Sequence, residues 1–275
     1  MFKFFIKKNF VDIWDNIFHS VIINFITNLV IIASVFLIPY AFSFIPVSPD
    51  GFPAKLINVL SVFVSSIIVN ILIFAESSNA FSASNSGKAK LKDFFTEIPV
   101  VFKHAVASGI FFGLLILAST VSLPYYHSMY LDTSNIVFLG MTMLLIWILA
   151  VTVLSLQYLL PVYAIMKNDF LKSLKKCYII FFDNTLFTTG LGILNLVNTA
   201  VTVLSFGFAP GVTGISITCT NALRLRLYKY DWLEVNPELS KEEKKNVPWK
   251  DLLKKEEEIL GPHPIKAALF PWKYR

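Results

Sequence analysis

Residues 136–206 read IVFLGMTMLLIWILAVTVLSLQYLLPVY (136–163), AIMKNDFLKSLKKCYIIFFDN (164–184) and TLFTTGLGILNLVNTAVTVLSF (185–206). An apolar run, a basic amphipathic stretch and a second apolar run follow one another. A helix rises 1.5 Å per residue, so about 20 residues cross the roughly 30 Å hydrocarbon core of a bilayer. Each flanking run meets that length. Lys167, Lys172, Lys175 and Lys176 crowd the gap between them.

The same alternation continues in both directions. Apolar runs lie at about 18–44, 56–76, 105–123, 136–163, 185–206 and 209–227. Of the 24 Lys and Arg residues, all but Lys55 fall at the N-terminus, in alternate gaps, or after the last run. Retention of cations on one side of the membrane is the positive-inside pattern. The sequence thus predicts an all-α polytopic transmembrane helix bundle of six spans over residues 1–229. It places the protein in the inner membrane with both ends in the cytoplasm, and reads 230–275 as a cytoplasmic amphipathic tail.

Composition agrees. The chain is 55% hydrophobic and 15% charged, with mean hydropathy +0.64, against about 25% charged residues in a soluble domain. The net charge of +6 flanks apolar runs and forms no basic stripe with aromatic platforms, so the partner it implies is the lipid bilayer and not nucleic acid. The first apolar run is too long for a signal peptide, whose core is about 7–15 residues.

Three segments read as interfacial amphipathic helices, each preceding an outward span: 2–17, 91–104 and 168–182. Within the second, LKDFFTEIPVVFKH predicts a break or kink at Pro99. PVSPDGFPAK and PYYHSMYLDTSN read as outer loops, the latter supplying Tyr125, Tyr126 and Tyr130 to an aromatic belt. In the tail, Asn236 and Pro237 read as the start of a helix PELSKEEKK. Pro248 starts another, PWKDLLKKEEEIL, ended by Gly261 and Pro262. The closing HPIKAALFPWKYR is too short to span and is expected to dock on the membrane or on the inner face of the bundle.

Polar residues within the runs carry two readings. Helices in lipid pack through small residues and side-chain hydrogen bonds. Thr188, Gly192, Asn195, Thr199 and Thr202 form such a seam on the fifth span. Gly211, Gly214, Thr218 and Asn221 form one on the sixth, and a short turn between them predicts that the two seams face each other. The functional reading is a cytoplasm-facing polar pocket around Asn24, Asn28, Glu76 and Gln157, with Glu76 its acidic group, since intramembrane carboxylates mark functional sites. The bland alternative for Glu76 is a solvated carboxylate at the interface. Asn58, Ser61, Ser65, Ser66 and Asn70 share one face of the second span.

No catalytic, cofactor-binding or metal-ligating constellation is expected. Cys177 and Cys219 read as small buried hydrophobes, and the four His residues lack metal-ligand spacing. There is no phosphate loop, GxSxG elbow, HExxH or dinucleotide fingerprint.

Residues 158–196, YLLPVYAIMKNDFLKSLKKCYIIFFDNTLFTTGLGILNL, and 208–230, FAPGVTGISITCTNALRLRLYKY, resemble the YesL-like family of small bacterial integral membrane proteins, and 94–118 is similar to its earlier amphipathic entry. The long outer loops and the tail depart from that family's compact form. The resemblance implies a non-enzymatic accessory or scaffold role beside a solute transporter, such as a sugar ABC system, with a transporter subunit as protein partner. It carries over no catalytic residue. The alternatives are a transporter or facilitator using the polar pocket, and a lipid-binding or lipid-processing enzyme.

Overall fold

A computed structural model describes residues 1–45, 51–240, 242–262, 264–269 and 273. Part of the expected first outer loop, residues 46–50, lies outside them, as does most of the LFPWKYR end. The described residues form an all-helical fold without strands. In chain order the helices are α1 (Phe2–Asp15), α2 (Ile17–Ser43), α3 (Phe52–Ala75), α4 (Ser77–Ser84), α5 (Leu91–Leu117), α6 (Leu123–Thr133), α7 (Ile136–Leu156), α8 (Leu159–Met166), α9 (Phe170–Asp183), α10 (Thr185–Leu204), α11 (Gly211–Val235), α12 (Trp249–Leu260) and α13 (Pro264–Leu269).

Five helical stretches among the described residues are long and apolar enough to cross a membrane: Ile17–Ser43, Phe52–Ser84, Leu91–Thr133, Ile136–Met166 and Thr185–Leu204. Side-chain placement is the inverse of a soluble protein's. Phe18, Leu186, Leu196 and Leu204 are exposed, while Asn24, Glu76, Asn79 and Asn221 are buried. Such a surface suits acyl chains, and the chain reads as a multi-pass membrane protein. The sixth expected span is also a helix, α11, but is not among the five. Its surface is polar because it runs through the middle of the protein, burying Thr213, Ser216, Thr218, Thr220, Asn221 and Arg226.

Two expectations are corrected along the third span. The helix is not broken at Pro99 but continues through it. Proline leaves the carbonyl of residue i−4, here Phe95, without its helical partner. PYYHSMYLDTSN is not a loop: a π-helical turn at Ala118–Ser122 leads straight into α6. Chain reversal is confined to Ser134, left-handed at φ 53°, and Asn135, whose side chain accepts from the Val137 N–H at 3.0 Å. The result is a helix over Leu91–Thr133, 43 residues or about 65 Å long, about twice the hydrocarbon thickness.

The helices group into two lobes. In one, α3 packs along α5 and α2. Gly109 of α5 sits where a Cβ would lie 2.5 Å from the Ile67 backbone, so only glycine permits this approach. In the other, α7 packs on α6, α9 and α10. The lobes share the continuous Leu91–Thr133 helix, whose α5 part packs on α3 and whose α6 end packs on α7. They are also joined by α11, α4 and α8 at the end where α1, α12 and most Lys and Arg residues gather, here called the basic end.

α1 buries apolar and polar groups together, Phe4 and Phe5 beside Lys8, Asn9 and Asp12. Phe2, Ile6 and Trp14 face out, while Lys8, Asn9 and Asp12 are buried against α11. In the tail, α11 continues past residue 230 to Val235, and α12 begins after Pro248 and ends at Gly261 as the sequence predicts. The helix expected from Pro237 does not form. The described part of PELSKEEKK holds only a single 3-10 turn, Glu243–Lys245, while Lys241 lies outside the described residues. No apolar stripe on that segment gives a longer helix anything to pack on. α13 docks on α1.

Candidate functional site: the polar core at the basic end

The four residues expected to share one pocket enter three separate networks. Asn24 and Asn28, one turn apart on α2, hold the reversal between α10 and α11. Asn24 Nδ2 donates to the carbonyls of Phe208 and Pro210, both at 2.9 Å, and its Oδ1 accepts from the Thr213 N–H and hydroxyl, both at 3.2 Å. Asn28 Nδ2 donates to the Gly207 carbonyl at 2.8 Å. Gly211 at the turn has φ +60°, and a Cβ there would meet the Asn24 amide at 2.2 Å. Both asparagines therefore act as structural clamps, with no free polar face left to Asn24.

Glu76, at the α3–α4 junction, is 1% exposed. It is no solvated interfacial carboxylate. His19 Nε2 on α2 lies 3.1 and 3.2 Å from its two oxygens, and Asn79 Nδ2 donates to it at 3.4 Å. The bond to the carboxylate makes Nε2 the proton-bearing nitrogen of His19. Its Nδ1 is buried without a partner among the described residues, as is the neighbouring Ser20 hydroxyl. Asn79 also exchanges hydrogen bonds with the Lys90 backbone, 3.0 Å to Oδ1 and 3.2 Å from Nδ2, and so ties the loop before α5 to this pair. Sequence reading found Glu76 but not its partner. The signal was present: His19 and Glu76 both stand at the basic end of an apolar run.

Gln157 sits at the break between α7 and α8, where its Oε1 accepts from Asn195 Nδ2 at 2.8 Å. Asn195 also reaches Cys219 Sγ at 3.3 Å, and the Tyr158 and Thr188 hydroxyls lie 2.9 Å apart. The expected seam between α10 and α11 is thus only partly one surface. Asn195, Thr202 and Asn198 face α11, through Cys219, Gly211 and Thr218. Thr188 and Gly192 face α7 and α8, Thr199 is exposed, and Gly214 and Asn221 face α1. Asn198, absent from the expected seam, is the contact to Thr218.

The densest cluster of charges lies where α1, α11, α4 and α12 meet. Lys8 Nζ is 3.2 Å from Asp12 and 3.4 Å from Glu256 of α12. Asn221 Nδ2 donates to Asn9 at 2.8 Å and to Asp12 at 2.7 Å. Arg224 donates to the Ser84 carbonyl and to Glu256, and the Tyr228 hydroxyl donates to Glu256 at 2.6 Å. Burial pushes the Asp12 carboxyl up to about 6, against the pull of Lys8 and the Asn221 amide. Beside this cluster Arg226 stacks over the Phe187 ring at 3.9 Å and faces Trp249 of α12 at 5.1 Å. Asp183 accepts from Lys229 at 2.9 Å and from the Tyr230 hydroxyl at 2.8 Å. Burial works against the Asp183 anion, but these donors prevail and hold its carboxyl below the usual range.

The sequence held a trace of this cluster too. Lys8 and Asp12 are one turn apart, as are Arg224 and Tyr228; the joining residue, Glu256, lies in the tail. Lys8, Asp12, Arg224 and Glu256 are paired with one another or with Tyr228 and Asn221, so the arrangement holds α12 in place. Compared with models of known protein families, with curated proteins and with solved structures, the chain gives no match.

Proposed function

We propose that the chain is a six-span inner-membrane protein with both ends in the cytoplasm, working as a non-enzymatic accessory or scaffold subunit of a solute-transport assembly. The observation that supports this reading best is the clasped tail helix. Glu256 holds one side of α12 to Lys8 and Arg224, and Leu253 is buried beneath it. Lys250, Asp251, Lys254, Lys255, Glu257 and Glu258 are left facing out. A charged helix fixed on a rigid base is a preorganised surface for a protein partner. α11 serves as the sixth span: it starts at the reversal beside Asn28 and ends among α1, α4 and α12. The resemblance to YesL-like proteins points to a sugar uptake system as the assembly. The facilitator reading is weaker, because Asn24 and Asn28 are engaged by the turn before α11 and Gln157 by the Leu154 carbonyl and Asn195.

Affinity purification of the full chain in mild detergent tests the proposal. A membrane-transport subunit is expected to co-purify. It should be lost when Lys254 and Lys255 are both changed to Glu, while the protein's own thermal unfolding is unchanged. Solute flux through the purified chain alone in liposomes, with no partner bound, would overturn it in favour of a facilitator.

A further inference from the structure

Between the two lobes lies a crevice of about 420 Å³, within the roughly 300–1,000 Å³ range of small-ligand sites. One wall is the face of α3 from Ser61 to Phe74, and the others come from α2, α5 and the α7–α8 junction. At its end nearer the basic end, Phe74 meets the Tyr163 ring edge to face at 5.4 Å, and His104 lies 4.7 Å from Tyr163 behind it.

The wall is drier than its residue names suggest. The Ser61 hydroxyl donates to the Asn58 carbonyl at 2.8 Å and the Ser65 hydroxyl to the Ser34 carbonyl at 2.8 Å. Asn70 donates to the Ser66 carbonyl at 2.9 Å and accepts from Ser108 at 2.9 Å. No ionisable side chain lines the space. The lining of a space this size gains dispersion contacts from an apolar occupant and offers little to a charged or strongly hydrated one.

We infer that the crevice holds one acyl chain of a bilayer lipid, taken in sideways from the surrounding membrane, in the half of the bilayer nearer the basic end, where residues 61–74 of α3 lie. The wall from Ser61 to Phe74 extends about 20 Å along α3, enough for a chain of one leaflet, whose share of the hydrocarbon core is about 15 Å. The lining is mostly apolar side chains, from helices that also present apolar faces outward. The inference rests on the membrane reading of the helices and is independent of the accessory role.

The full chain, reconstituted in nanodiscs of phosphatidylglycerol carrying a photoreactive diazirine in one acyl chain, tests it. Irradiation and peptide mass spectrometry should place adducts on Val69, Ile73 and Phe112 as well as on the outward Leu186 and Leu196. Ser66→Phe fills the crevice and should cut the inner adducts about ten-fold while leaving those at Leu186 unchanged. Ser66→Ala keeps the space and should label as the parent does. Adducts confined to the outward residues in the parent protein would overturn the inference. So would inner labelling that survives both Ser66→Phe and a second plug, Val69→Trp, in variants whose Leu186 labelling shows them folded.

Discussion

Glu256 of α12 is ion-paired with Lys8 of α1 at 3.4 Å, although nearly the whole chain separates them. The same carboxylate meets Arg224 and the Tyr228 hydroxyl on α11. One side chain thus closes the first helix, the central helix and the tail helix into a single unit.

Changing Glu256 to Ala leaves Lys8 and Arg224 partly buried without their shared counter-ion. Breaking a fully buried pair costs about 3–5 kcal/mol, and residual exposure of Glu256 lowers this to roughly 2–3 kcal/mol. Hydrogen exchange in detergent should show α12 opening more often by the matching factor, while α3 and α5 stay protected. Unchanged exchange across 249–260 would show that Trp249 and Leu253 hold the helix alone.

Glu76→Ala strands His19 in a buried site and should lower the yield and thermal stability of the protein, by about 1–3 kcal/mol for an unsatisfied buried group. Glu76→Gln retains an acceptor for His19 Nε2–H and should lie between parent and Ala variant. Equal melting temperatures for all three proteins would remove the structural role assigned to the pair.

Asn24→Ala deletes the clamp on the α10–α11 reversal. Side-chain hydrogen bonds within membranes average about 0.6 kcal/mol, so the loss of four should total roughly 2 kcal/mol. Gly211→Ala drives a Cβ into the same amide from a left-handed backbone position. The two substitutions are in contact and should be non-additive in a double-mutant cycle; strict additivity would place them in separate networks.

Asp12 supplies a pH signature. Its carboxyl is raised by burial to about 6 from the ordinary 3.8, so the folded protein holds that proton more tightly than the unfolded chain. Its contribution is therefore most favourable below the ordinary value and declines as pH rises from about 4 to about 6, by roughly 3 kcal/mol. Asp12→Asn removes this dependence. The difference in stability between parent and variant should shift towards the variant across that window and level off above it. A difference independent of pH would contradict the burial of Asp12.

Orientation can be read with introduced cysteines, because the native Cys177 and Cys219 are buried and burial pushes the Cys177 thiol up to about 12. Lys90→Cys and Lys175→Cys should react only with reagent admitted to the cytoplasm, and Lys55→Cys with reagent outside. Labelling of positions 90 and 175 from opposite sides would defeat the six-span topology.

The parts of the fold that face lipid were legible in the sequence. Hydropathy located α2, α3 and α10 to within a few residues, because a lipid-facing helix must be apolar along its length, but it ran the fourth span through the break at Gln157 into α8. Contacts between distant segments were not legible. Asn24 and Gln157 were marked by being polar in an apolar run, but nothing local shows that one meets the Pro210 carbonyl and the other Asn195. The lysines of α1 and the glutamates of α12 look like solvated faces, and only the folded chain brings Lys8 to Glu256. Asn58, Ser61, Ser65, Ser66 and Asn70 were seen to share a face of α3. That face is a wall of the apolar crevice, because most of these groups are internally satisfied.

The polarity of α11 bears on how the protein is made. On the six-span reading, a segment carrying Thr213, Ser216, Thr218, Thr220 and Asn221 within the crossing, and Arg224 and Arg226 at its inner end, has little tendency to leave the translocon for bare lipid. Its binding surfaces are α1, α2, α4, α8 and α10, all synthesised earlier. Membrane entry of this helix is thus tied to prior assembly of the helices before it, and a nascent chain whose first helices have mispacked would stall at its last crossing.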